Sequence, residues 1–243
     1  MVKSMIAVIS DIHSNLEALN AVLNDIKNRG IKKIFCLGDI VGYGANPNEC
    51  VELIRDLNCL SVVGNHDYGV LGKESLDYFN KYGAIAILWT KKVIKNENLK
   101  FLDSLPLIIE ENIKGKKVIF SHANPKHPEI WEYLFPDYVD DVFNYGDLIF
   151  VGHSHIPFVN SEEGNLLLHE GKIYLDEDKK YLINPGSVGQ PRDGINKASY
   201  CIFDEKDFKI EIVRVEYDIK KAYEKIVKNR LPEWLGERLF LGR

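Results

Sequence analysis

Residues 5–10 form an unbroken apolar run, Met5-Ile6-Ala7-Val8-Ile9-Ser10, and soon after it Leu16, Leu19, Val22, Leu23 and Ile26 recur at helical spacing. The first pattern suits a strand buried on both faces and the second a helix with one apolar face, so the chain opens strand then helix. Ser14-Asn15-Leu16-Glu17 has the S-x-x-E form of a capping box, and Gly30 stands where a helix commonly ends. The rhythm then repeats. The run 33–37 closes on Gly38-Asp39, a helix is expected from about 48 to 57, and the run 60–63 closes on Gly64-Asn65-His66-Asp67. This β-α-β-α-β succession argues for a largely parallel sheet flanked by helices. In such sheets ligands sit outside the carboxyl ends of the strands, which is where each polar cluster falls.

Residues 75–95 read as helical with a break near Tyr82-Gly83, and 99–105 reads as the approach to another strand. Beyond Leu107 the character changes. Short apolar runs at 107–113, 117–120, 148–151, 166–169, 172–175, 181–183, 199–203 and 209–215 are separated by Gly, Asn, Pro and Asp turns, a strand-rich half. Ile219, Ala222, Tyr223, Ile226 and Val227 return to helical spacing, and Leu231-Pro232 separates them from a last short helix around 233–239. With no internal repeat and no long linker, a single domain spanning 1–243 is expected. No apolar run approaches the ~20 residues that cross a bilayer, and the apolar start is too short for a signal segment. The protein is therefore expected to be cytoplasmic.

Charge and cysteine content narrow the classes further. Across 243 residues, 36 Asp and Glu outweigh 31 Lys and Arg for a net charge of −5, which argues against a broad nucleic-acid surface. Cys36, Cys50, Cys59 and Cys201 show no C-x-x-C spacing, so reduced, buried thiols are expected in place of a disulfide framework or a zinc-thiolate site. The histidines change the picture more. In an extended segment, residues two apart face the same side about 6.5–7 Å apart, so Asp11-Ile12-His13 could converge on one ion. Alone, that triplet reads more readily as Asp11 at a turn or helix start and His13 at the surface. Yet Gly38-Asp39, Gly64-Asn65-His66-Asp67, Ser121-His122 and Gly152-His153-Ser154-His155 also follow apolar runs, and five of the seven histidines lie at such presumptive strand ends. Nitrogen and oxygen donors without thiolate suit Mn²⁺, Fe, Zn²⁺, Co²⁺ or Ni²⁺.

These clusters, in order, resemble the calcineurin-like metallophosphoesterases, whose pattern is D-x-H, G-D, G-N-H-D/E, H and G-H-x-H. The likeness extends to residues 38–44, 79–90, 121–125 and 184–189, in the manner of the compact prokaryotic branch, and covers essentially the whole chain. It implies an α/β (α+β) fold, a four-layer αββα sandwich of two mainly mixed sheets flanked by helices. It further implies two divalent metals, manganese first among them. Asp11, His13 and His155 would bind one, Asn65, His122 and His153 the other, and Asp39 would bridge both. The implied reaction is in-line attack on phosphorus by a metal-bridging hydroxide. His66 would touch the substrate and protonate the leaving alkoxide, its ordinary pKa of about 6.5 suiting the role. Asp67 is read as either loop support or a turn cap. Gly186 and Gly189 could turn backbone amides toward an anion, with Arg192 as a phosphate partner, or simply form a turn between strands. His127 and His169 are expected at the surface.

Departures from the pattern select among substrates. Phosphoprotein phosphatases of the superfamily usually continue G-D as G-D-x-V-D-R-G, whereas Gly42-Tyr43-Gly44 stands here. Missing those Asp and Arg groups weakens the phosphoprotein reading and that of symmetrical dinucleoside tetraphosphate hydrolysis, and these 243 residues are not expected to hold an appended domain of the kind nuclease members carry. Small phosphate esters, diesters first, are thus the expected substrates. The alternatives are hydrolysis of nucleotides or dinucleoside polyphosphates and phosphomonoesterase activity. From another class comes an interaction scaffold, as in the retromer subunit of the superfamily. The stripe Trp234, Leu235, Leu239 and Phe240 would then be a partner face, a homo-oligomer contact, or packing onto the sheet.

Overall fold

The computed structural model describes residues 5–136 and 141–243. Its first half follows the alternation read above: β1 (Met5–Ile9), α1 (Leu16–Asn28), β2 (Lys33–Cys36), α2 (Pro47–Asp56), β3 (Leu60–Ser61) and α3 (Asn65–Leu71). α4 (Lys81–Val93) and α5 (Asn96–Asp103) complete the helical half. The strands β4 (Ile108–Ile113), β5 (Lys116–Ser121), β6 (Leu148–Phe150), β7 (Phe158–Ser161), β8 (Gly164–Leu168), β9 (Gly171–Tyr174), β10 (Tyr181–Asn184), β11 (Ala198–Asp204) and β12 (Lys209–Val215) precede α6 (Ile219–Lys228) and α7 (Trp234–Leu241).

Two six-stranded mixed sheets result, ordered β3-β2-β1-β11-β12-β9 and β4-β5-β6-β10-β7-β8. β1, β2 and β3 run parallel, as do β5, β6 and β10. The continuous apolar character of β1 has a direct cause. Ile6 and Val8 pack between the sheets with Phe35, Phe120, Phe150 and Phe203, while Ala7 and Ile9 face Leu19, Val22 and Ile54 of the outer helices. Phe35 and Phe120 stack across the seam, centroids 3.8 Å apart. The outer face of the second sheet buries Ile119, Ile149 and Leu182 beneath Leu134 and the 3-10 turn Asp141–Asn144. All four cysteines are buried free thiols, and among the described residues no helix is long and apolar enough to cross a membrane.

Several local readings need correction. Residues 99–105 do precede a strand, β4, but most of the segment is itself helical. Asn98 and Leu102 are buried and Leu99 and Leu105 pack beside the same core, a helical spacing that makes α5. The break in 75–95 falls earlier than Tyr82-Gly83, at Asn80, whose side chain accepts the N–H groups of Tyr82 and Gly83 and so starts α4. α1 is capped by Asn15, which accepts from Ala18 N–H at 3.1 Å, and Ser14 does not serve as the cap. Glu17 is ion-paired with Lys225 of α6 at 2.6 Å. β7 has no counterpart among the predicted runs.

In the C-terminal stripe, Leu235 and Leu239 are buried against Ala222 and Ile226 of α6, Ala86 of α4 and Tyr43, so the packing partner is a helical layer and a loop and not the sheet. Trp234 and Phe240 remain exposed.

Candidate metal centre

The loops after β1, β2, β3, β5 and β6 meet at one edge of the sandwich, so both sheets contribute. The loop after β1 is laid directly on the loop after β2: Asp11, His13 and Ser14 donate their N–H groups to the carbonyls of Gly38, Asp39 and Ile40 at 2.9–3.1 Å. β1 ends at Ile9, so Asp11 and His13 are not side chains of a strand face. Both lie in the left-handed region, with φ of 53° and 47°, as do Asp39 (50°), His153 (64°) and His155 (60°). Convergence is achieved by strained turns, and such strain at non-glycine residues gathers at functional sites.

The turn 184–189 holds this arrangement in place. Val188 and Gly189 donate to the carbonyls of Ser10 and Asp11, Ser187 Oγ donates to Asp11 O at 2.8 Å, and Asn15 Nδ2 donates to Gly189 O at 2.8 Å. Gly186 N–H donates to Asn184 Oδ1. The amides that could have faced an anion are therefore engaged within the protein, and the turn acts as a strap on the Asp11 loop. A Cβ on Gly189 would lie 1.8 Å from Ile12 O, so only glycine permits so close an approach.

Three histidines have fixed orientation. Each Nδ1 donates to a carbonyl: His13 to Val41 at 3.2 Å, His122 to Leu37 at 2.7 Å and His155 to Gln190 at 2.6 Å. Each Nε2 then points inward, those of His13 and His155 presenting a lone pair and that of His122 facing Asp39. His13 Nε2 and His155 Nε2 face one another at 3.1 Å, and both border Asp11 Oδ1, at 3.8 and 3.2 Å. His122 Nε2 lies 3.1 Å from His153 Nδ1, 3.2 Å from Asn65 Oδ1 and 3.4 Å from Asp39 Oδ2. Asp39 Oδ2 is also 3.6 Å from His13 Nε2. Asp11 Oδ1 and Asp39 Oδ2 are buried without a hydrogen-bond donor. Lone pairs opposed at 3.1 Å beside bare carboxylate oxygens are costly in a buried space unless a cation fills it. The donor set thus fits metal ions, and it falls into groups: Asp11, His13 and His155; Asp39, His122 and His153; and His13, Asp39 and His66.

Electrostatics follows from burial and from these neighbours. Burial pushes the pKa of His13 and His153 well down, leaving both neutral. His122 is also buried, but Asp39 lies beside it and raises it to about 9. Asp39 itself is held well below the carboxylate range, burial being outweighed by His122 and His66.

His66 opens α3, and its backbone N–H donates to Asp39 Oδ1 at 2.8 Å. Its ring lies among Tyr43, Phe79 and His13, with centroids at 4.5, 5.0 and 4.8 Å, and its buried Nδ1 has no hydrogen-bond partner. Burial lowers His66 to about 4. Both alternatives read for Asp67 hold together: it accepts from Gly64 N–H as a cap of α3 and from Val41 N–H as a brace on the Asp39 loop. Arg192 points two N–H groups at Gln190 Oε1, at 3.2 and 2.7 Å, and stacks on Tyr43 with 5.7 Å to the centroid. His127 and His169 are exposed, the latter 3.1 Å from Asp193.

The sequence reading missed several contributors. Tyr43 walls both His13 and His66. Arg238 of α7 is pushed down to about 10 by burial and the neighbouring charge of Arg192. Trp131 and Tyr133 lie against His122 and His153. The alternation Trp131-Glu132-Tyr133-Leu134-Phe135 shortly after His122 was the available signal for the last pair.

Comparison with known proteins agrees with this geometry. Residues 5–207 match the calcineurin-like phosphoesterase superfamily domain. The phosphodiesterase YfcE of Escherichia coli is 24% identical over 214 residues, which cover 84% of this chain and 88% of that protein. Among solved structures, a metallophosphoesterase from Sphaerobacter thermophilus is 39% identical with a TM-score of 0.84, covering 98% of this chain and 99% of that one. The hypothetical protein PH1004 from Pyrococcus horikoshii shares the fold at 22% identity, with a TM-score of 0.81 and 98% of both chains covered.

Proposed function

The chain belongs to the calcineurin-like phosphoesterase superfamily and is a metal-dependent phosphoric ester hydrolase, and from that premise we propose that it cleaves small phosphate esters, chiefly diesters, at a two-metal centre. The supporting observation is the set of inward imidazole lone pairs and donor-free carboxylate oxygens enclosed in one buried space. In this reading Asp11, His13 and His155 hold one cation, Asn65, His122 and His153 hold the other, and Asp39 is shared between them. Divalent ions at such a centre, manganese first and Fe, Zn²⁺, Co²⁺ or Ni²⁺ as alternatives, supply an acidified water and polarise the phosphoryl oxygens.

The protein's own groups orient and protonate. The hydrogen-bond partner of the Arg192 guanidinium is the neutral Gln190 amide and not a carboxylate, which suits it to a phosphoryl oxygen. His66, low at about 4 when the site is free, is neutral at pH 7. Its protonation accompanies the arriving phosphate, whose negative charge favours the imidazolium, and that proton then passes to the leaving oxygen. With Mn²⁺ added, the protein is expected to hydrolyse bis(p-nitrophenyl) phosphate and to lose that activity in EDTA. A panel of phosphomonoesters, cyclic nucleotides, dinucleoside polyphosphates and phosphoproteins then ranks the substrates. Absence of turnover with every metal and ester in the panel would reject the reading.

Metal uptake should also depend on pH. His122, raised to about 9 beside Asp39, carries a proton at neutral pH that must leave before Nε2 can bind a cation. Affinity therefore rises with pH, by up to about tenfold per unit below pH 9 for one displaced proton. Calorimetric titration with Mn²⁺ between pH 6.5 and 8.5 measures this, and a flat profile would contradict it.

A further inference from the structure

A cleft of about 410 Å³ opens beside Asn65 and His153, walled by Tyr78, Phe79, Ile130, Trp131 and Tyr133. Trp131 has a φ of 58°, a strained value for so large a residue. Its indole is fixed there, Nε1 donating to Glu74 Oε2 at 2.7 Å and the ring meeting Tyr68 and His122 edge-on at 5.3 and 5.9 Å. Tyr133 stacks on the His153 imidazole with centroids 3.8 Å apart, yet is 45% exposed, and Tyr78 is 83% exposed. Solvent-facing aromatic rings beside the proposed centre, with Trp131 and Tyr133 held by these contacts, are surfaces for a planar partner. Among the described residues no lysine or arginine lines the cleft, whereas Glu74 and Glu129 do. A second phosphate is therefore disfavoured there, and hydrogen-bond donors are favoured.

We propose that this cleft binds the organic part of the substrate, and that this part is an aromatic ring system bearing hydrogen-bond donors, nucleosides being the common chemical example. The inference rests on the phosphoesterase reading for the position of the phosphate, beside His153 and Asn65. A volume of about 410 Å³ lies within the ~300–1,000 Å³ of small-molecule pockets and accommodates a nucleoside.

The test compares adenosine 5′-monophosphate with ribose 5-phosphate, which differ only in the base, as ligands of the Mn²⁺-loaded protein by calorimetry. Free phosphate is assayed in parallel so that turnover is seen. The adenosine compound should bind about tenfold more tightly, in line with stacking on an aromatic platform. Tyr78→Ala, at a side chain that supports no core, should shrink that preference while ribose 5-phosphate affinity stays unchanged, and Trp131→Ala should shrink it further. Equal affinity of the two compounds for the wild type, or a preference unmoved by both substitutions, overturns the proposal. A clear preference in a protein that hydrolyses no ester would leave the cleft standing and reject the phosphoesterase reading. Hydrolysis without any preference would do the reverse.

Discussion

Asp39→Asn is expected to empty the site of metal and to lower kcat/KM by roughly 10³-fold or more, the loss anticipated when a two-metal centre can no longer assemble. The argument lies in the two directions its carboxylate faces. Oδ1 is held by the His66 N–H at 2.8 Å, while Oδ2 looks toward His13 Nε2 at 3.6 Å and His122 Nε2 at 3.4 Å, which belong to different donor groups. An amide keeps its oxygen on the His66 N–H and turns its NH₂ toward the two imidazoles. That NH₂ then donates to the very lone pairs that would have met a cation, and the shared negative charge is gone. The variant should fold, because the backbone contacts of the loop are intact. Metal content by mass spectrometry beside circular dichroism checks this, and full metal occupancy in a folded Asp39→Asn protein would contradict the bridging assignment.

His66→Ala should behave differently, retaining metal while losing about 10²–10⁴-fold in turnover, the usual range for a general acid. The two variants are informative together because His66 also lies in a donor group with His13 and Asp39. If it were a ligand, metal stoichiometry would fall; if it acts on the leaving group, stoichiometry holds. Leaving-group dependence adds a second readout. An alkoxide needs the proton far more than p-nitrophenolate does, so the defect should be larger for an alkyl ester than for bis(p-nitrophenyl) phosphate. Equal defects on both esters would assign His66 a positioning role instead. Because the ring fills space between Tyr43 and Phe79, His66→Gln serves as the packing control.

Much of this was legible in the sequence where local pattern and chemistry coincide. Buried runs such as 5–9 and 33–36 sit between two layers, so their continuous apolar character reports strands faithfully. The order of polar clusters pointed to one place, and the structure gathers them there, because parallel strands bring successive carboxyl ends to one edge. Other features depended on tertiary context. Residues 96–103 were ambiguous because a short Leu- and Phe-rich segment fits either period until Asn98 and Leu102 are seen to face one core. The start of α3 was hidden because Asn65, His66 and Asp67 read as site chemistry, yet they also form its first turn. The strap 184–189 could not be assigned because the carbonyls that satisfy its amides, those of Ser10 and Asp11, lie more than 170 residues away in the chain. Asp11 and His13 do lie within 3.8 Å of one another, but left-handed turns and not strand geometry bring them together.

The helices α6 and α7 lie beyond residue 207, where the match to the superfamily domain ends, yet Leu235 and Leu239 share a buried cluster with Tyr43, whose ring touches His13 and His66. A single aromatic ring therefore separates the shared chemistry from a buttress outside the matched stretch. Replacing a candidate donor such as Asp11 or His155 would alter the proposed centre directly, whereas exchanging volume among the apolar side chains of α7 would act on it only through Tyr43. Substitution among the apolar residues of α7 is thus a route to moving the Tyr43 wall beside His13 and His66 while every donor side chain stays in place.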